Sequence, residues 1–302
     1  MTRALFVLLF FLAFPAAAHA QASGNVSYSQ SSGQARAEAA ERAKRAVSKD
    51  DAPPTASSVF VDASVLMNVR ADEHIAVFAV QQECATVPEC NQKMDGTVAG
   101  FLKALSPLGV RAEDTFVDFA AQNKIYAFNV TATLAKEELV GFELKKNVSV
   151  RFRDHNLLDR LVVAASQAKI FDLVKVDYVV RDTAAVQERL MEEAARVVRR
   201  KAARYEKLFN VKLTGAPQIY AERPSIHYPT EMYDSYTAYE AENVDYNYRD
   251  RTTVQRARKS RTFFFNPLTP DGFDAVLDPV VLDPHVQFTL YLKVKYELEP
   301  TK

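Results

Sequence analysis

Leu173-Val174-Lys175-Val176-Asp177-Tyr178-Val179-Val180 is a short apolar strand, and Arg181-Asp182-Thr183 turns it into the longest helical pattern of the chain, which runs to Phe209. On that helix Met191, Ala195, Val198, Ala202, Tyr205 and Phe209 recur at alternating spacings of four and three, the signature of one apolar stripe. Leu190, Ala194 and Val197 widen the stripe on one side. Arg189, Glu193, Arg196, Arg200 and Lys207 are expected on the opposite, solvated face. A helix of this kind must bury its stripe, here with Met191, Val198, Ala202 and Phe209 inward, so the rest of the chain is read for the sheet it covers.

Immediately upstream, Asn147-Val148-Ser149-Val150-Arg151-Phe152 alternates as a half-buried strand does. Asp154 is placed to cap a following helix that carries Leu157, Leu158, Leu161, Val162 and Ala165. Folded sequence begins near Val59 with a β-rich run, and Arg70-Ala71-Asp72-Glu73 turns the chain into Ile75-Ala76-Val77-Phe78-Ala79-Val80. So short a polar turn predicts an antiparallel hairpin. Met94, Val98, Phe101, Leu102 and Leu105 mark a helix stopped by Pro107 and Gly109. Phe116-Val117-Asp118-Phe119 and the run from Ile125 to Val130 are strand-like. The expected fold is α+β, with antiparallel strands near 59–69, 74–82, 147–152, 173–180 and 286–298. Amphipathic helices near 92–105, 155–167 and 183–209 should cover them. The closing strand is expected to end a sheet and leave an edge that must be paired or covered.

The N-terminus reads differently. Arg3 precedes the apolar run from Ala4 to Phe14, Pro15 breaks that run, and Ala18-His19-Ala20 offers small residues where a signal peptidase reads them. Residues 1–20 are expected to be a cleaved signal peptide, and 21–57, poor in large apolar side chains, a flexible arm ended by Pro53-Pro54. The folded domain is expected over 58–298, with no transmembrane segment after cleavage. Lys plus Arg number 38 against 38 Asp plus Glu, so no overall charge steers the protein to nucleic acid or anionic lipid.

Cys84 and Cys90 are the only cysteines. In an oxidising compartment this pair is expected to form a disulfide, which closes a short loop and contributes about 2 kcal/mol at most. A catalytic dithiol or a metal pair is the alternative. It lacks the C-x-x-C spacing and a histidine nearby in sequence.

The segment 225–282 has a composition of its own. Tyr228, Tyr233, Tyr236, Tyr239, Tyr246 and Tyr248 come with acidic residues, then Arg249, Arg251, Arg256, Arg258, Lys259 and Arg261 precede Phe263-Phe264-Phe265. This is expected to be a long Tyr-rich insertion before the last strand. It is either a disordered or self-packed surface loop or an interaction surface, since tyrosine is favoured at interfaces.

With these elements in view the chain resembles the SIMPL domain family, of the periplasmic immunogenic protein and oxidative-stress defence protein type. Four stretches carry the resemblance: Leu105-Ser106-Pro107-Leu108-Gly109-Val110 with Glu113-Asp114; Gly141-Phe142 through Asn147-Val148-Ser149-Val150 to Asp154; Leu208-Phe209-Asn210-Val211-Lys212-Leu213-Thr214-Gly215; and the alternation from Val286 to Tyr296. Two departures stand out. Asn210 replaces the usual Gly, at a helix end where Asn tolerates the left-handed conformation. Ala168-Lys169-Ile170 replaces a Gly-containing turn.

No motif for a reaction accompanies this pattern. His74, His155, His227 and His285 show no metal-ligand spacing, and no G-x-S-x-G, P-loop or G-x-G-x-x-G is present. No catalytic, cofactor-binding or metal residue is assigned, and no cofactor is expected. The resemblance implies a non-enzymatic exported envelope protein that self-assembles into a homo-oligomer and is linked to envelope integrity or stress defence. It is expected in the periplasm, free or associated with the outer membrane, with an envelope protein as a further candidate partner. The alternative is a periplasmic binding module whose Tyr-rich insertion holds a protein or small molecule. An enzyme of unrecognised type is the least favoured reading.

Overall fold

A computed structural model describes residues 57–131, 133–236, 262–279 and 282–299. They form two four-stranded sheets, each faced by helices, so the α+β expectation holds. The first sheet contains β1 (Ser58–Val69), β6 (Leu213–His227), β9 (Ala275–Leu277) and β10 (Val286–Leu298) in the order β6-β10-β1-β9. The second contains β2 (Glu73–Cys84), β3 (Thr115–Thr131), β4 (Leu134–Phe152) and β5 (Asp172–Val179) in the order β3-β4-β2-β5. A small hairpin pairs β7 (Tyr233–Tyr236) with β8 (Thr262–Phe265).

The expected hairpin between the first two strands does not form. β1 lies between β10 and β9, while β2 lies between β4 and β5. The short polar turn is a corner between sheets. Asp72 donates its N–H to the Val179 carbonyl at 2.8 Å, and its carboxylate accepts the Arg181 N–H at 2.8 Å. Each strand gains two long-range partners this way, which a two-stranded hairpin could not give it. β10 is likewise no edge, because β6 and β1 flank it in antiparallel register, with Val65 opposite Leu290.

Helix α1 (Val87–Leu105) starts where the Thr86 hydroxyl accepts the Glu89 N–H, with Pro88 in its first turn. Its buried residues Cys90, Met94, Val98, Phe101 and Leu105 recur at helical spacing. The chain then leaves through Gly109 at φ 82°, a left-handed position that suits glycine. Helix α2 (Leu157–Gln167) is preceded by an Asp154 carboxylate that accepts the Asn156 N–H, so Asp154 shapes the entry turn while Asn156 is the cap residue. Together α1 and α2 cover the second sheet. Met94, Phe101, Leu161 and Ala165 pack there with Phe78, Leu144, Val148 and Val150.

Helix α3 (Thr183–Phe209) is capped by Asp182, whose carboxylate accepts the Ala185 N–H at 2.9 Å, and it covers the first sheet. Leu190, Ala194, Val197 and Val198 meet Val61, Val65, Phe288 and Leu292. Val198 and Ala202 are buried as expected, and the centre of the buried face lies toward Leu190, Ala194 and Val197, which widen the stripe on one side. Met191 and Tyr205 are only partly buried, and Phe209, at the last turn of the helix, is 68% exposed. Glu193, expected in solvent, is buried and paired with Arg196. Asn210 takes φ 51° and Lys169 φ 62°, the two positions where the chain departs from the expected glycines.

Candidate functional site

The two cysteines stand at the junction of β2 and α1 with Cα atoms 5.3 Å apart, bonded as a pair. Both are buried, Cys90 almost completely, and the bond ties the end of β2 to the first turn of α1.

The tyrosines fare differently. Tyr228 is exposed and directly follows β6, where its carbonyl accepts the Glu231 N–H at 3.0 Å. Tyr233 is half-buried, lies opposite Phe265 with ring centroids 5.8 Å apart, and hydrogen-bonds Tyr178. Burial, with Tyr233 adding to it, pushes the Tyr178 hydroxyl well above its ordinary pKa. Tyr236 is opposite Thr262 at the end of the small hairpin. Tyr239, Tyr246 and Tyr248 lie outside the described residues. The two ends of the segment 225–282 are built into the fold. Asp274 hydrogen-bonds Ser64, and β9 runs parallel to β1.

An unpartnered apolar surface lies elsewhere, on β3 and the distal half of β4. No residue of β3 is buried. β4 pairs with β2 only from Phe142 to Phe152, so Leu134 to Gly141 have β3 as their strand partner and extend past the sheet as a two-stranded arm. Residues directly opposite in antiparallel strands share a face. Tyr126 is opposite Leu139, Phe128 opposite Glu137 and Val130 opposite Ala135, which puts Tyr126, Phe128, Val130 and Leu139 on one side together with Ala135 and a single charged residue, Glu137. Ala127 with Glu138 and Asn129 with Lys136 form the other. The apolar side is bare: Phe128 is 68% and Val130 72% exposed. Apolar residues along β3 were legible as strand; their exposure was not.

A second feature is polar. A cleft of about 390 Å³ at one end of the second sheet is lined by Glu73, Val110, Arg111, Asp114, Arg151, Phe152, Arg153 and Leu157, among others. The Asp114 carboxylate accepts Arg151 at 2.6 Å and Arg111 at 3.1 Å. Glu73 accepts Arg181 and, at 3.3 Å, Arg153. Hydrogen bonds from Arg151 to Asp114 and from Arg181 to Glu73 are the leading causes that hold both carboxyls below the ordinary carboxylate range, against an opposing effect of burial.

Beside the cleft, buried His74 stacks on Phe152 with centroids 5.2 Å apart and lies near Tyr178 and His155. Burial, and then the neighbouring His155, lowers its pKa from the ordinary 6.5. Among the described residues no group of three or more His, Cys, Asp or Glu side chains is placed to hold a metal ion.

The model of the SIMPL family, described as a protein of unknown function (DUF541), matches residues 59–258. The chain belongs to the SIMPL family. The match begins at Val59, where folded sequence was expected to begin, and stops short of β8, β9 and β10. No curated protein matches this SIMPL chain. None of its described helices is long and apolar enough to cross a membrane.

Proposed function

We propose that this SIMPL protein is an exported, non-enzymatic envelope component that assembles with further copies of itself through the β3–β4 arm, in the service of envelope integrity or stress defence. The observation that carries this reading is the bare apolar face of Tyr126, Phe128, Val130 and Leu139 on a strand pair that has no core of its own. Large exposed apolar patches are sites of association, and a long edge strand recruits another strand. A second copy is the favoured occupant because each copy carries two long edge strands. β6, at the far edge of the first sheet, also has no buried residue and exposes Ile219 and Tyr220. Support for export comes from the leader-like residues 1–20 and from a bonded cysteine pair, which suits an oxidising compartment.

The test shortens the arm. Ile125 and Gly141 lie opposite each other, so residues 126–140 can be replaced by an Asn-Gly turn that closes the hairpin early. The wild type should sediment as a large species, and the shortened protein as a smaller one with unchanged helix content. Phe128→Glu with Val130→Glu should act in the same direction. A wild type that stays monomeric at high micromolar concentration, or equal assembly without the arm, would overturn the proposal.

A further inference from the structure

We propose that the arginine-lined cleft binds a compact dianionic oxyanion of the phosphate monoester class. Three guanidiniums, from Arg111, Arg151 and Arg153, line it, and Arg181, outside the lining, pairs with Glu73. Two carboxylates lie under them. Glu73 is 6% exposed and the Asp114 side chain 13%, whereas the arginine side chains range from 42% to 71% exposed. The acids are the floor and the guanidiniums the surface that a ligand meets.

The floor orients that surface. Arg151 spends Nε and Nη2 on Asp114, Arg111 spends Nε on Asp114, and Arg153 spends Nε on Glu73. Each guanidinium is thereby held while nitrogens on its fork remain for a further acceptor, most completely in Arg153. Donors fixed before binding lose little freedom when the ligand arrives. The cleft lining carries three cations against two anions, and Arg181 adds a fourth cation. Glu113 accepts Arg111 at 2.6 Å on the rim, but its side chain is 64% exposed and can turn away.

The chemistry of the ligand follows from number and shape. A planar carboxylate offers two oxygens, whereas a tetrahedral phosphate monoester offers three non-bridging ones, one for each lining guanidinium. At about 390 Å³ the cleft is larger than the oxyanion alone requires. Val110, Phe152 and Leu157 supply apolar wall for the organic group that carries it. The cleft and the distal arm lie at opposite ends of the β3–β4 pair, so its failure and the failure of the assembly proposal can be told apart.

The probe is inorganic phosphate, then glycerol phosphate, titrated into the protein at fixed ionic strength and followed by thermal unfolding and calorimetry. Both should stabilise the wild type saturably. Arg153→Gln and, separately, Arg111→Gln should weaken binding about tenfold or more. Arg153→Lys should recover only part of it, because an ammonium cannot present the fork. Arg189→Gln, on the exposed part of α3, should leave binding unchanged. Vesicles with and without phosphatidate separate the two sources. Arg153-dependent co-sedimentation with phosphatidate identifies a lipid headgroup, and phosphate binding without co-sedimentation identifies a soluble ester; either supports the proposal. No saturable effect of phosphate on the wild type, or an equal effect on Arg153→Gln, overturns it.

Discussion

Lys201 of α3 reaches the Asp274 carboxylate at 2.7 Å and pins the segment before β9 to the helix that covers the first sheet. The second oxygen of Asp274 accepts the Ser64 N–H at 2.9 Å. Burial opposes ionisation, but Lys201 and the Ser64 N–H outweigh it and lower the pKa of Asp274 from 3.8. Its contribution to stability is therefore complete above that ordinary value and is lost as pH falls below it. Asp274→Ala should cost about 2 kcal/mol in urea unfolding at neutral pH. The same variant should differ less from the wild type at pH 3.

Val198 and Phe209 lie on the same helix but not in the same environment. Val198→Asp places an unpaired charge between α3 and the first sheet and should cost about 3 kcal/mol or more. Phe209→Asp, at an exposed position in the last turn of the helix, should stay within about 0.5 kcal/mol. Denaturant midpoints of the two variants, measured side by side, decide whether the helix is phased as described.

His74 makes acid sensitivity begin earlier than the carboxylates alone would set it. Its folded pKa lies below 6.5, so the unfolded chain binds the proton more readily. Stability should be greatest above 6.5 and fall as pH drops through it toward the folded value. His74→Phe should flatten the dependence of the melting temperature between pH 7.5 and 5.5.

At the base of the arm, a Cβ on Gly141 would lie 2.8 Å from the Cys84 carbonyl oxygen. Gly141→Ala should cost about 1–3 kcal/mol, because two backbones must separate to admit the methyl group. The nearby Cys84–Cys90 bond closes a short loop, and the double Cys→Ser variant should fold with a loss of about 2 kcal/mol at most. Thiol titration of the denatured, unreduced protein should find no free cysteine.

Local pattern made some of this fold legible. The turn at Arg181-Asp182-Thr183, the helical spacing after Met94, the left-handed end at Asn210 and the long alternation after Val286 are all set by near neighbours in sequence. The phase of α3 was legible only in part, because Leu190-Ala194-Val197 and Met191-Ala195-Val198 are adjacent apolar lines and the sheet beneath sets how deeply each is buried. The corner at Asp72 looked like a hairpin because a tight polar turn serves either geometry. The arginine cleft had no sequence signature. Glu73, Asp114, Arg151 and Arg181 come from separate elements and converge only when the second sheet is complete.

The order of strands also sets an order of folding. The second sheet is drawn from one continuous stretch, Glu73 to Val179, and its pairings can form as soon as that stretch is available. The first sheet has no such option. β10 is the strand that joins β1 to β6, and Ser58 finds its register partner at Glu297. Until Val286 to Leu298 arrive, β1 remains without its antiparallel neighbour and α3 without half of its floor. Contacts so distant in sequence form slowly and late. A chain that emerges N-terminus first thus carries a finished half and a waiting half, and holds its first sheet open until its last strand is delivered.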